Sequence, residues 1–224
     1  MHEKKGGFLL NTPKFSCRGK ARREEIVKQY NLKIIAHTKL LNGQSKKSSA
    51  GGECTDEYYT FQYENKNQAK KYDNGTFLCG YAAAEHFMAL TNLEDIPLFN
   101  PLLGISSSNT TESSSGGIAP PRDDMKWNPI AEQFHNAINL IIVCWNTPIY
   151  GKLARYKADV MKYYYNYPAD WKIESLNDVI GKDKKNRTLT KMVEDLRIDN
   201  PTLKHFSFDL LEAKLSAMDI KSNF

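Results

Sequence analysis

The sequence predicts an α+β fold class: a small antiparallel-sheet N-terminal module with flanking helices, followed by a mainly helical C-terminal module. Three observations carry this reading. Residues 57–64 alternate, with Tyr58, Thr60 and Gln62 on one side and Tyr59, Phe61 and Tyr63 on the other, the period of a half-buried strand. Residues 105–124 are rich in Ser, Gly and Pro and have little that could be buried, so they divide the chain. Beyond them the apolar runs read as helices. The expected layout is 1–103 as the α+β module, 104–124 as a flexible linker or loop, and 125–224 as the helical module.

In chain order, residues 18–30 form a charged helix with Ile26 and Val27 facing inward, and residues 33–41 form a strand. The run from Gly43 to Gly52 has the composition of a flexible loop. After the alternating strand, Asp73-Asn74-Gly75 marks a turn, residues 76–79 a short strand and residues 81–93 a helix. Pro97 to Leu103 is an apolar, proline-punctuated segment expected to fold back on the core. Trp127-Asn128-Pro129 opens a helix with proline in its first turn. Residues 137–145 are apolar almost all round, as in a central buried helix. Thr147-Pro148 starts a further helix to about Tyr165, and Ser175, Thr190 and Ser207 have the residue types that cap three more.

A chain of 224 residues can bury a sizeable core. Mean hydropathy is −0.57, and the longest apolar run, residues 140–145, is far too short to cross a bilayer. The N-terminus lacks a signal-peptide pattern, so the expected compartment is the cytoplasm. Four cysteines do not make a disulfide framework and are expected to be reduced. Glycine-rich phosphate loops, G-x-S-x-G and H-E-x-x-H are all missing, which argues against the nucleotide and hydrolase classes that depend on them.

Three chemical constellations are candidates. Cys17, Cys54, Cys79 and His37 have the residue types of a zinc site, although no C-x-x-C pair is present. His86 does not fit with Cys79, because seven helical residues rise about 10.5 Å while ligands of one ion lie within roughly 4 Å of each other. Cys79 at a strand-to-helix junction is also a candidate thiol, with a pKa lowered by the helix start and His37 as its base. Glu64-Asn65-Lys66, with Asp56 before it, resembles the acidic and lysine elements of the PD-(D/E)xK nucleases. That spacing fails: two carboxylates at opposite ends of one strand, about 26 Å apart, cannot hold one ion.

Charge provides the strongest signal. The net charge of +5 permits nucleic-acid binding without demanding it. One cluster comprises Lys14, Arg18, Lys20, Arg22, Arg23, Lys28 and Lys33. The other begins on the helix after Pro148, where Ile149, Leu153, Tyr156, Val160 and Tyr163 make an apolar face. Lys152, Arg155 and Lys162 gather on another face, interrupted by Asp159. An aromatic run from Tyr163 to Trp171 follows, and then Lys184, Lys185, Arg187 and Lys191. Basic groups beside aromatics suit a phosphate backbone with stacked bases.

The expected function is nucleic-acid binding or regulatory interaction in a prokaryotic or phage system, the usage of Lys, Asn, Tyr and Ile being that of an AT-rich genome. One alternative is a metal- or thiol-dependent nuclease or transferase centred on the N-terminal module around Cys79, His37 and Glu64, with zinc as its cofactor. Another is a defence-system or toxin–antitoxin component whose protein partner docks on residues 97–103.

Overall fold

The structure is a computed structural model that describes residues 15–70, 72–102 and 126–224. The dividing segment 104–124 and the basic residue Lys14 lie outside the described residues. The architecture is α+β: an antiparallel sheet with helices over residues 20–91, then five helices.

Helix α1 (Lys20–Gln29) runs directly into strand β1 (Tyr30–Lys39), with Tyr30 serving as both C-cap and first strand residue. The strand therefore starts three residues earlier than its apolar pattern implies. Strand β4 (Glu57–Asn65) pairs antiparallel with β1 on one side and with β5 (Asn74–Cys79) on the other, giving the order β1-β4-β5. Between β1 and β4, strands β2 (Lys46–Lys47) and β3 (Glu53–Cys54) form a two-stranded ribbon. This ribbon occupies the stretch whose composition reads as a flexible loop. It is held down because the Ser49 N–H donates to the Leu78 carbonyl and Cys17 donates to the Ser49 carbonyl. Gly51 and Gly52 close it at φ of 96° and 74°, a conformation open to glycine at little cost.

The β4 alternation decides what each sheet face meets. Tyr59 and Phe61 pack with Ile34, Phe77 and Cys79 beneath α1 and α2 (Tyr81–Thr91). The other face looks toward the C-terminal helices. A bulge at Ile35 breaks the β1–β4 register, so Ile35 and Ala36, consecutive in sequence, both join the core of those helices.

Helix α3 (Pro129–Cys144) is the hub of the helical region and touches α4 (Gly151–Lys162), α5 (Asp170–Ile180), α6 (Leu189–Asp199) and α7 (Asp209–Ala217). Its start follows from Asn128, whose side-chain oxygen accepts from the N–H groups of Ile130 and Ala131 with Pro129 behind it. Its apolar run is buried from Ala137 to Val143.

Three expected caps are displaced. Ser175 lies inside α5, which begins at Asp170 without a side-chain cap. Thr188, not Thr190, caps α6 by accepting from the Lys191 N–H. Phe208 is the boundary residue of α7, with Ser207 next to it accepting from the Asp209 N–H. A helix start follows the direction in which the chain enters the bundle, which residue type alone does not encode.

The apolar segment after Pro97 does fold back. Phe99 bridges to Thr38 of β1, and Leu102 bridges to Leu203 beyond α6. Among the described residues no helix is long and apolar enough to cross a membrane.

Candidate nucleic-acid interface

Lys152, Arg155 and Lys162 are exposed on α4, as expected from its amphipathic spacing. Lys152 and Arg155 make no ion pair with another described residue. Asp159 lies on the same stripe, four residues beyond Arg155 and three before Lys162. Its carboxylate is answered by the Lys172 ammonium of α5 at 2.9 Å, so it subtracts little from the stripe.

The aromatic run that follows is turned largely outward. Tyr163, expected in the core, is 43% exposed because α4 ends at Lys162 and the chain turns away. Tyr165 and Trp171 are more than half exposed, and Tyr167 is 42% exposed. Lysines ride on these rings: Lys162 over Tyr163 at 5.0 Å, Lys172 over Trp171 at 5.5 Å and Lys214 of α7 over Tyr167 at 5.4 Å. Lys214 also pairs with Asp170 at 3.1 Å. Between α4, the turn and α5 lies a cavity of about 260 Å³, lined by residues including Tyr163, Asn166, Tyr167 and Lys172.

The second half of the expected basic set behaves differently. Arg187 is engaged internally. Its guanidinium donates two bonds to Asp183 and one to Asp195, all within 3.0 Å. Asp183 is buried and also accepts from the Trp145 indole and from the N–H groups of Lys185 and Arg187. These donors, Arg187 foremost, hold the Asp183 carboxyl well below the usual carboxylate range. Lys191 is paired with Glu194 and Asp195. Lys184 and Lys185 are exposed. The positive surface is thus strongest on α4 and the turn, and weaker around 184–191. At the N-terminus Arg23 is likewise occupied, donating to His86 Nδ1 at 2.9 Å and to the Cys17 carbonyl. His86 therefore accepts from a guanidinium.

The residues proposed for zinc or thiol chemistry are only partly brought together. Cys17, Cys54 and Cys79 are buried on or beside the sheet, close enough for Cys79 to feel the other two electrostatically. His37 and Cys79 both sit opposite Tyr59, on the two flanking strands, which puts them roughly 10 Å apart with the tyrosine between them. His37 stacks on that ring at 3.8 Å. Among the described residues no group of three or more His, Cys, Asp or Glu is placed to hold a metal. Glu64 lies five residues farther along β4, about 16 Å from Tyr59. The strand-to-helix junction is as expected, with Gly80 between β5 and α2. Burial outweighs the helix start, however, and pushes the Cys79 thiol upward rather than down. Cys17 is pushed up to about 11 for the same reason.

The polar cluster between α3 and α4 was not anticipated. Lys157 is 2% exposed and donates to the side-chain oxygen of Asn139, itself buried. Asn139 donates in turn to the His135 carbonyl, and its amide lies beside the His135 ring. Burial pushes the Lys157 ammonium down to about 7. Burial, then the Lys157 charge, pushes His135 down as well. Two sequence signals point to this cluster: Asn139 interrupts an apolar run, and Lys157 stands at helical spacing between Leu153 and Val160 on the apolar face.

No curated protein and no solved structure matches this chain. A family model described as Uncharacterised conserved protein UCP028583 matches residues 15–223, the sheet and all five C-terminal helices included, and the chain belongs to that family.

Proposed function

We propose that this protein binds nucleic acid through the α4 surface and the turn that follows it, without catalysis of its own at that surface. The carrying observation is that four exposed aromatic side chains, Tyr163, Tyr165, Tyr167 and Trp171, follow directly on Lys162, which lies over the Tyr163 ring and makes no ion pair with another described residue. The α4 stripe of Lys152 and Arg155 extends this surface. Exposed aromatic rings cost hydration free energy unless they meet a partner. A phosphate backbone suits the cations, and bases suit the rings. Lys172, Lys214, Arg187 and Lys191 contribute less, because carboxylates already hold them.

The test is fluorescence anisotropy with labelled oligonucleotides. Binding at about 50 mM salt that falls at least tenfold by about 200 mM is expected for contacts to several phosphates. Arg155→Glu with Lys162→Glu is expected to weaken binding strongly and to leave the fold unchanged, since both side chains are exposed. Absence of binding at the lower salt refutes the proposal.

A further inference from the structure

The cavity beside α4 makes this proposed reading more specific. It is smaller than pockets that take drug-sized ligands, which run roughly 300–1,000 Å³, yet about 260 Å³ is open between the rings of Tyr163 and Tyr167 and the Asp159–Lys172 ion pair. Four aromatic residues, Phe134, Tyr156, Tyr163 and Tyr167, are in its lining. The side-chain amide of Asn166, at its edge, makes no hydrogen bond with another described residue and offers both a donor and an acceptor. A flat heteroaromatic group with hydrogen-bonding edges matches these walls. Lys172 in its wall is paired with Asp159, so negative charge attached to that group would be met at the rim by Lys162, which lies over Tyr163.

Resting on the nucleic-acid reading above, we propose that this cavity receives one unstacked base, so that the ligand is single-stranded rather than duplex nucleic acid. In a duplex each base is stacked on both faces and paired along its edge, and taking it out costs a few kcal/mol. A single strand presents its bases without that cost. The base enters between the tyrosines, Asn166 meets its edge, and the adjoining phosphates lie toward Lys162 and the α4 stripe.

The test measures anisotropy for a single strand and a duplex of equal length on the full chain, with Tyr163→Ala, Tyr163→Phe and the Arg155→Glu/Lys162→Glu variant. The single strand is expected to bind more tightly. Tyr163→Ala is expected to weaken single-strand binding about fivefold to a hundredfold, the range for one base–aromatic stack, and Tyr163→Phe to restore it. An oligonucleotide with every base removed except at its ends is expected to bind the wild-type protein no better than the intact strand binds Tyr163→Ala. Equal binding of strand and duplex, unaffected by Tyr163→Ala but lost with the charge reversals, overturns the base pocket and leaves the phosphate-binding reading standing. No binding of either form at low salt overturns both. Binding of a proline-rich peptide in place of the oligonucleotide also overturns the base assignment.

Discussion

Lys157 carries an amino group into the space between α3 and α4, where among the described residues the side chain of Asn139 answers it. Its folded pKa of about 7 lies below the value of about 10.5 expected when unfolded. Between those values the unfolded chain binds a proton that the folded chain does not, so this group's contribution to stability rises with pH across that window and its penalty is nearly complete at pH 7. Replacing the pair together, Lys157→Met with Asn139→Leu, removes the penalty without leaving the amide oxygen alone. The double variant is expected to melt above the wild type at pH 7, with the gap narrowing towards pH 9. A gap that widens with pH in thermal melts contradicts this account. Arg187 presents the opposite case. Arg187→Leu strands the buried Asp183 carboxylate and is expected to cost about 3–5 kcal/mol in urea denaturation, whereas Lys185→Ala should cost little. The depressed Asp183 pKa adds stability above the unfolded carboxyl value that is lost as pH falls below about 4. In Arg187→Leu that acid-side loss should shrink. Sequence spacing made Arg187 look like a phosphate ligand because a loop of basic residues reads alike whether or not Asp183 of the same loop and Asp195 of α6 close on it.

Helices and strands differ in how far their own residues specify them. β4 was readable to within a residue, since strict alternation places rings on one face and Thr60 with Tyr58 on the other. The start of α3 was readable from Asn128 and Pro129. Asn128→Ala is expected to cost about 1 kcal/mol, observable as a lowered urea midpoint with unchanged slope. The ribbon of β2 and β3 was not readable, because its polar, small residues gain their order from hydrogen bonds to Leu78 and Cys17, far along the chain. The bulge at Ile35 was hidden for a similar reason: only pairing with β4 reveals that one residue is extra. Of the candidate interface, α4 and its basic stripe were legible from period alone, but the end of α4 at Lys162, which turns Tyr163 outward, was not. Lys172 and Lys214 reach the site from α5 and α7, and no local pattern announces either.

Across the whole molecule the two modules share apolar surface. Ile35, Ala36 and Leu41 belong to the core of the C-terminal helices, Thr76 donates to the Ile149 carbonyl, and the Lys204 N–H donates to Pro101. This predicts coupled unfolding. All three tryptophans, 127, 145 and 171, lie in the helical part, so their fluorescence reports on that part. Phe61→Ala, a fully buried deletion under α2, is expected to cost about 3–5 kcal/mol. It should lower the fluorescence midpoint as much as the far-UV circular dichroism midpoint. A fluorescence transition left in place would mean that the helices unfold independently. The chain's own pattern of apolar, charged and small residues determined the fold class, the order of modules, the central helix and the basic face of α4, because those depend on periodicity along one element. Which cations remain available, where the aromatic rings point, which cysteines meet and how Lys157 comes to be buried were decided by tertiary structure. Most of these depend on side chains from elements apart in sequence, and even the near pairs of Arg187 and Lys191 form only when the chain folds, because burial and pairing energies are properties of the assembled neighbours rather than of the local chain.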